Sequence, residues 1–158
     1  MLHSLASQIA FLALCATCVF ALLKGGGVER WAAGIIFVSW ALSVAVSVFL
    51  SRLFSQQIQE FTFLALDAVT ALGLLVLALR FAKIWLGVAM LMQSGELSLH
   101  GAVMADWGFA YRDYMLLNDA LSFGLLLLLA GATATAWFQR IRSRSPRSND
   151  GGGLELSI

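Results

Sequence analysis

The sequence predicts an all-α integral membrane bundle of five transmembrane helices, with the N-terminus outside and the C-terminus cytoplasmic. Three observations predict it: 60% apolar against 12% charged residues, apolar runs long enough to cross a bilayer, and a one-sided distribution of lysine and arginine. Water-soluble chains carry about a quarter charged residues because their surfaces need them. Here the charges crowd into short patches between long apolar runs, and mean hydropathy is +0.86. A formal net charge of +1 over 158 residues offers nothing for a nucleic acid to bind, so no nucleic-acid partner is expected.

A helix rises 1.5 Å per residue, so a hydrocarbon core of about 30 Å needs roughly 20 apolar residues. Four runs meet that requirement, at 5–23, 31–50, 61–79 and 115–137. A fifth, at 84–104, is interrupted by Gln93, Ser94, Glu96, Ser98 and His100, and hydropathy alone leaves it open. Charge placement decides it. If all five cross, Lys24, Arg30, Arg80, Lys83, Arg140, Arg142, Arg144 and Arg147 share one side and only Arg52 and Arg112 lie opposite, eight against two. If 84–104 does not cross, the division is five against five, which discards the cytoplasmic excess of lysine and arginine that orients membrane proteins. Aromatic residues agree: Trp31, Trp85 and Trp137 fall at the inner interface, and Trp107, Tyr111 and Tyr114 at the outer one.

The first run lacks a leading side-chain cation and is followed by Lys24, so it reads as an anchor and not as a cleaved signal. The glycines Gly25, Gly26 and Gly27 suit a tight reversal through their tolerance of positive φ. No strand precedes them and no Gly-Lys-Ser/Thr follows, so they form no phosphate loop. Residues 1–139 are expected to form the bundle, and 140–158, rich in Arg, Ser, Asn and Gly, a disordered basic cytoplasmic tail. Its Arg140, Arg142, Arg144 and Arg147 would each be drawn to anionic headgroups by about 1 kcal/mol. Ser39, Ser43 and Ser47 on the second run, and Gly131–Ala136 on the fifth, make small-residue faces suited to helix contact within one chain or in a homo- or hetero-oligomer.

An ionisable group inside a span costs about 2.5–3.5 kcal/mol and calls for an explanation. Asp67, Glu96, His100 and Asp119 are such groups. Counted from the span ends, Asp67 lies about 9 Å and Asp119 about 6 Å below the outer edge. Glu96 and His100 lie about 18 Å and 24 Å from the inner edge, so all four occupy the outer half. Gln93, Glu96 and His100 are spaced by three and four residues and share one helix face. Thr70 follows Asp67 by a turn, Asn118 and Ser122 flank Asp119, and His3 is near the same edge. The polar cluster Asp67, Gln93, Glu96, His100 and Asp119 therefore meets in one pocket if the third, fourth and fifth helices are neighbours.

Three readings of that cluster compete. Interhelical hydrogen bonds that set register make the chain a non-catalytic accessory or packing subunit, and this reading leads. A proton relay or divalent-cation site makes it a small proton- or metal-coupled transporter. An acid–base pair makes it an intramembrane enzyme acting on a lipid or isoprenoid. The ligand set would suit zinc, manganese or iron, but no short His-x-His or Glu-x-x-His spacing supports a metal, and no cofactor is expected. The pair Cys15 and Cys18, in Cys-Ala-Thr-Cys, sits at mid-span in surroundings that disfavour thiolate, so packing is preferred over redox chemistry.

Three short stretches carry a resemblance: Gly26, Gly27, Glu29 and Arg30 in the turn, Asp67 with the exit through Ala78, Leu79 and Arg80, and Gln93 seven residues before His100. In these the chain resembles a loosely defined set of small multi-span bacterial inner-membrane proteins. The resemblance implies a bacterial cytoplasmic membrane and carries no activity, and Glu96 is additional to its pattern.

Overall fold

The computed structural model describes residues 5–50, 56–105 and 111–144. These form five helices: α1 (Leu5–Lys24), α2 (Gly27–Leu50), α3 (Gln56–Phe81), α4 (Ile84–Met104) and α5 (Tyr111–Arg144). Three stretches are long and apolar enough to cross a membrane, Gly27–Phe49, Phe61–Phe81 and Arg112–Ser143, and Gln8–Lys24 is a shorter apolar helix. In α4, Gln93, Glu96 and His100 dilute the apolar character of 21 residues that would reach about 32 Å.

Each element begins or ends where the backbone must turn. Between α1 and α2 only Gly25 and Gly26 intervene, with Gly25 N–H donating to the Ala21 carbonyl at 2.8 Å and Arg30 N–H to the Gly26 carbonyl at 3.1 Å. None of the three glycines adopts the positive φ expected of them; what Gly25 and Gly26 supply is close approach, whereas a Cβ on Gly27 would meet nothing within 4 Å. A Cβ on Gly25 would collide with the Ala21 carbonyl, and one on Gly26 would lie 2.6 Å from Glu29 Oε2 and 3.6 Å from an Arg140 guanidinium nitrogen. The carboxylate of Glu29, only 6% exposed in the first turn of α2, thus converges with Arg140 of α5 above the turn, where the positive end of the helix dipole also favours it. Lys24 stacks 5.5 Å from the Trp137 ring centre, so this turn is clasped to α5 from both sides.

The helices close into a ring, α1 packing on α2 and α5, and α3 and α4 completing the circuit, so that α3, α4 and α5 are consecutive neighbours. The inward stripe of each helix reads the same way. Towards the end bearing Lys24, Arg80 and Lys83 it is apolar: Cys18 and Ala21, Ala32 and Ala33, Leu74 and Leu77, Leu86 and Ala89, Leu129 and Ala132 are all buried. Half-way along, the stripes of α2, α3, α4 and α5 become polar, while α1 stays apolar through Leu14. Outward faces stay apolar on every helix, with Leu12, Val69, Leu91 and Leu127 each about two-thirds exposed or more, which is the arrangement of a bundle whose surroundings are hydrocarbon. Of the small residues of α5, Ala132 and Thr133 are buried inside the chain and Gly131 faces outward. Cys18 likewise donates its thiol to the Ala33 carbonyl of α2 at 3.8 Å, and both cysteines are free.

One expectation is corrected. Helix α5 runs 34 residues, about 51 Å, and carries Arg140, Arg142 and Arg144 in its last turns, so the disordered tail does not start at residue 140. Extending an already nucleated helix adds one hydrogen bond per residue ordered, and arginine is a good helix former. The rest of the expected tail, with Arg147, lies outside the described residues, as do His3, Arg52 and Trp107.

The α3–α4 connection contains a strained residue. Ala82 has φ 47°, its N–H capping α3 on the Ala78 carbonyl at 2.9 Å, while Lys83 is extended and its carbonyl accepts from Leu86 N–H at 3.0 Å. This left-handed cap favours glycine, and a side chain there costs about 1–2 kcal/mol. Ala82→Gly is expected to stabilise the fold by about 1 kcal/mol and Ala82→Val to destabilise it, read as opposite shifts of Tm for the purified protein in detergent.

Candidate functional site

The polar half of the ring lines a partly open cavity of about 330 Å³ to which all five helices contribute. Helices α1 and α2 supply a mostly apolar wall with Leu14, Ile36 and Trp40, relieved by Ser39 and Ser43. Facing it are Asp67 and Thr70 of α3, Gln93, Glu96 and His100 of α4, and Asn118, Asp119 and Ser122 of α5. All five members of the sequence-derived cluster line the same space.

Helix α4 is its spine. Leu86, Ala89, Gln93 and Glu96 are its buried residues and His100 continues the stripe, because steps of three and four residues return to one face. Glu96 lies over the apolar core and is 8% exposed. Both of its oxygens meet donors: Gln93 Nε2 to Oε2 at 2.9 Å, and Ser122 Oγ of α5 to Oε1 at 2.6 Å. The second bond requires α4 and α5 to come close, and glycine permits it. Gly95 and Gly124 flank the contact, and Cβ atoms there would press on Leu121 and Met92. Gln93, 3% exposed, is held by the same carboxylate.

One turn farther, His100 joins three elements. Its Nδ1 lies 3.0 Å from Asp67 Oδ2 and 3.1 Å from the Glu96 carbonyl oxygen, and its Nε2 lies 2.8 Å from the Tyr114 hydroxyl of α5. Two acceptors at Nδ1 place the ring hydrogen there, leaving Nε2 to accept from Tyr114 in the neutral ring. A second proton at Nε2 would make an imidazolium whose counter-ion, Asp67, is already in contact. The side chains of His100 and Asp67 are 24% and 20% exposed, so the pair borders the cavity and is not sealed in the core. The arrangement can accept, hold and hand on a proton. The Tyr114 hydroxyl faces His100 Nε2 and the Ser122 hydroxyl faces a Glu96 oxygen, so each hydroxyl has a base beside it.

Asp119 differs from the other four. It lines the cavity from α5 but is exposed, and among the described residues no hydrogen bond ties it to the others. Also among the described residues, no three His, Cys, Asp or Glu side chains converge in a way that could hold a metal ion.

Sequence reasoning missed Tyr114, which it assigned to the outer aromatic belt, and the contribution of α2. A signal for Tyr114 was present: Tyr114, Asn118 and Ser122 recur every four residues and form one polar stripe of α5. Ser39 and Ser43, read as a packing stripe, face the cavity instead, with Ser43 Oγ donating to the Ser39 carbonyl at 3.0 Å and Thr70 Oγ1 lying 2.5 Å from Ser39 Oγ.

Removing one donor from a buried carboxylate costs about 1–3 kcal/mol. Ser122→Ala is therefore expected to lower unfolding free energy by that amount in the parent chain and by less than about 0.5 kcal/mol in a Glu96→Leu background, measured as a double-mutant cycle in detergent. Against known proteins, the chain matches no family model, no curated protein and no solved structure.

Proposed function

We propose that this chain is a five-span membrane protein, N-terminus outside and C-terminus cytoplasmic, whose cavity beneath the outer face is the proton-handling site of a small proton-coupled carrier. The observation that carries the reading is the chain Asp67–His100–Tyr114, drawn from α3, α4 and α5, at the wall of a 330 Å³ cavity. A bundle that only needed register would bury such groups in close packing; here they border empty space large enough for a small ligand. Support for five spans comes from the turns at Lys24–Gly27 and Arg80–Ile84, which share an end with Arg140 and Arg142, whereas Arg112 starts α5 at the other. The bacterial cytoplasmic membrane is proposed from the resemblance of the Gly26–Arg30 turn and the Gln93–His100 spacing.

An accessory or packing role is the second reading, favoured by open positions on outward helix faces: a Cβ on Gly34 or Gly131 would meet nothing within 4 Å. It leaves the cavity without a role. The divalent-metal form of the carrier is not proposed, since the described ligands do not converge.

Two measurements test the proposal. In a chain with both native cysteines replaced by serine, single cysteines at positions 27, 82 and 142 are expected to react with a membrane-impermeant maleimide from one side and a cysteine at 112 from the other. Labelling of 82 and 112 from the same side would rule out the five-span arrangement. In proteoliposomes containing a pH-sensitive dye and clamped with potassium and valinomycin, the parent is expected to admit protons faster than protein-free vesicles. Asp67→Asn and His100→Gln are expected to return to the protein-free rate, and Asp119→Asn to retain most of the flux. A parent rate equal to that of empty vesicles would overturn the carrier reading.

A further inference from the structure

A second concavity lies on the outside of the bundle, in the seam between α2 and α3. It is a groove of about 440 Å³ lined by Gly34, Val38, Leu42, Val69 and Gly73 together with Ser39 and Thr70. Val38 and Val69 are 56% and 67% exposed, so the groove faces the surroundings of the bundle, which on the reading above is hydrocarbon. Ser39 and Thr70 also line the central cavity. The two spaces are thus separated at this point by a pair of small hydroxyl side chains, with Ser39 Oγ and Thr70 Oγ1 2.5 Å apart.

The pair is built to part. Thr70 Oγ1 also lies 2.8 Å from the Leu66 carbonyl one turn back on its own helix, so its single proton has an acceptor whether or not Ser39 is in contact. Gly34 leaves open space beside the pair, where a Cβ would meet nothing within 4 Å, while Ile35 of α2 packs against Gly73 of α3 and closes the seam on that side. Behind the pair, the cavity presents Asp67, Glu96 and Asp119, and among the described residues His100 is the only basic side chain that lines it. Trp40, stacked on Phe11, and Phe123 line it too, adding aromatic rings to the carboxylates. An anionic head would be repelled there; a cationic one finds carboxylates and rings.

We infer that the α2–α3 seam is a side entrance from the bilayer, latched by Ser39 and Thr70, through which a single-chain amphiphile with an ammonium head lodges its head among Asp67, Glu96 and Asp119 and its tail in the groove of Gly34, Val38 and Val69. This rests on the carrier reading and names its ligand class; exchange of such a cation for the proton at His100 keeps the charge of the cavity constant.

The test uses the full chain in nanodiscs of zwitterionic lipid, Cys15 and Cys18 replaced by serine, with dodecyltrimethylammonium as the probe and equilibrium dialysis as the readout. Ser39→Cys with Thr70→Cys places two thiols where the hydroxyls now touch, so oxidation ties α2 to α3. Saturable binding by the reduced protein, weakened roughly tenfold or more on oxidation and restored by reductant, is the expected result. Gly34→Leu, which enters open space, is expected to weaken binding by filling the groove. Dodecyl sulfate and dodecanol are expected to bind no better than to empty nanodiscs. Binding that is indifferent to the latch and to Gly34→Leu would overturn the side entrance, and equal binding of the sulfate would overturn the ammonium assignment. Proton flux is read separately: flux without dodecyltrimethylammonium binding sinks only this inference, and binding without flux sinks only the carrier reading.

Discussion

A carboxylate at position 96 can sit over an apolar core only if both of its oxygens find donors, and that requirement organises the bundle around it. One donor comes from its own helix, three residues back, where Gln93 shares the same face. The other comes from a neighbour, Ser122 of α5, beside Gly95 and Gly124, where Cβ atoms would press on the side chains of Leu121 and Met92. An unsatisfied carboxylate in such surroundings costs several kcal/mol. The Glu96–Ser122 bond therefore sets the register of α4 against α5, and with it the height at which Tyr114 meets His100.

The same height recurs on four of the five helices. Leu74 gives way to Thr70 and Asp67 on α3, Ala89 to Gln93 and Glu96 on α4, Leu125 to Ser122 and Asn118 on α5, and Ile36 to Ser39 and Ser43 on α2. Below it, short apolar side chains interlock and leave no room. Above it, side chains that bond to one another along the wall hold the helices apart, and a space remains. Core and cavity are two outcomes of one antiparallel alignment, since a slip of α4 by a single turn would carry Glu96 away from Ser122 and His100 away from Asp67.

Glu96 and His100 divide the labour between stability and chemistry. Glu96 is buried and saturated with donors, which suits a residue that fixes geometry. His100 is partly exposed to the cavity, has its Nδ1 directed by Asp67 and the Glu96 carbonyl, and keeps Nε2 against a hydroxyl that can both give and take a hydrogen bond. Polar groups in an apolar bundle are often only glue between helices. Here the glue positions the pair that borders the space.

Much of this was legible in the residues themselves. Segment lengths and the positions of Lys24, Arg80 and Lys83 foretell the five helices and their turns, because helix rise and apolar run length are local quantities; α4 falls at 84–104 as expected. Spacing alone places Gln93, Glu96 and His100 on one face, and counting residues from the helix ends puts Asp67 level with them. What only the tertiary structure decided is which neighbour answers each group. Tyr114 and Ser122 stand on a stripe that any helix could present to lipid or to a partner, and Ser39 and Ser43 have the composition of a packing face. Their roles depend on a ring that sets α5 beside α4 and α2 beside α3, a relation between distant segments that helical periodicity does not encode. The space between the helices is likewise a property of their arrangement, since the volume left over when five helices close is fixed by all of their contacts together.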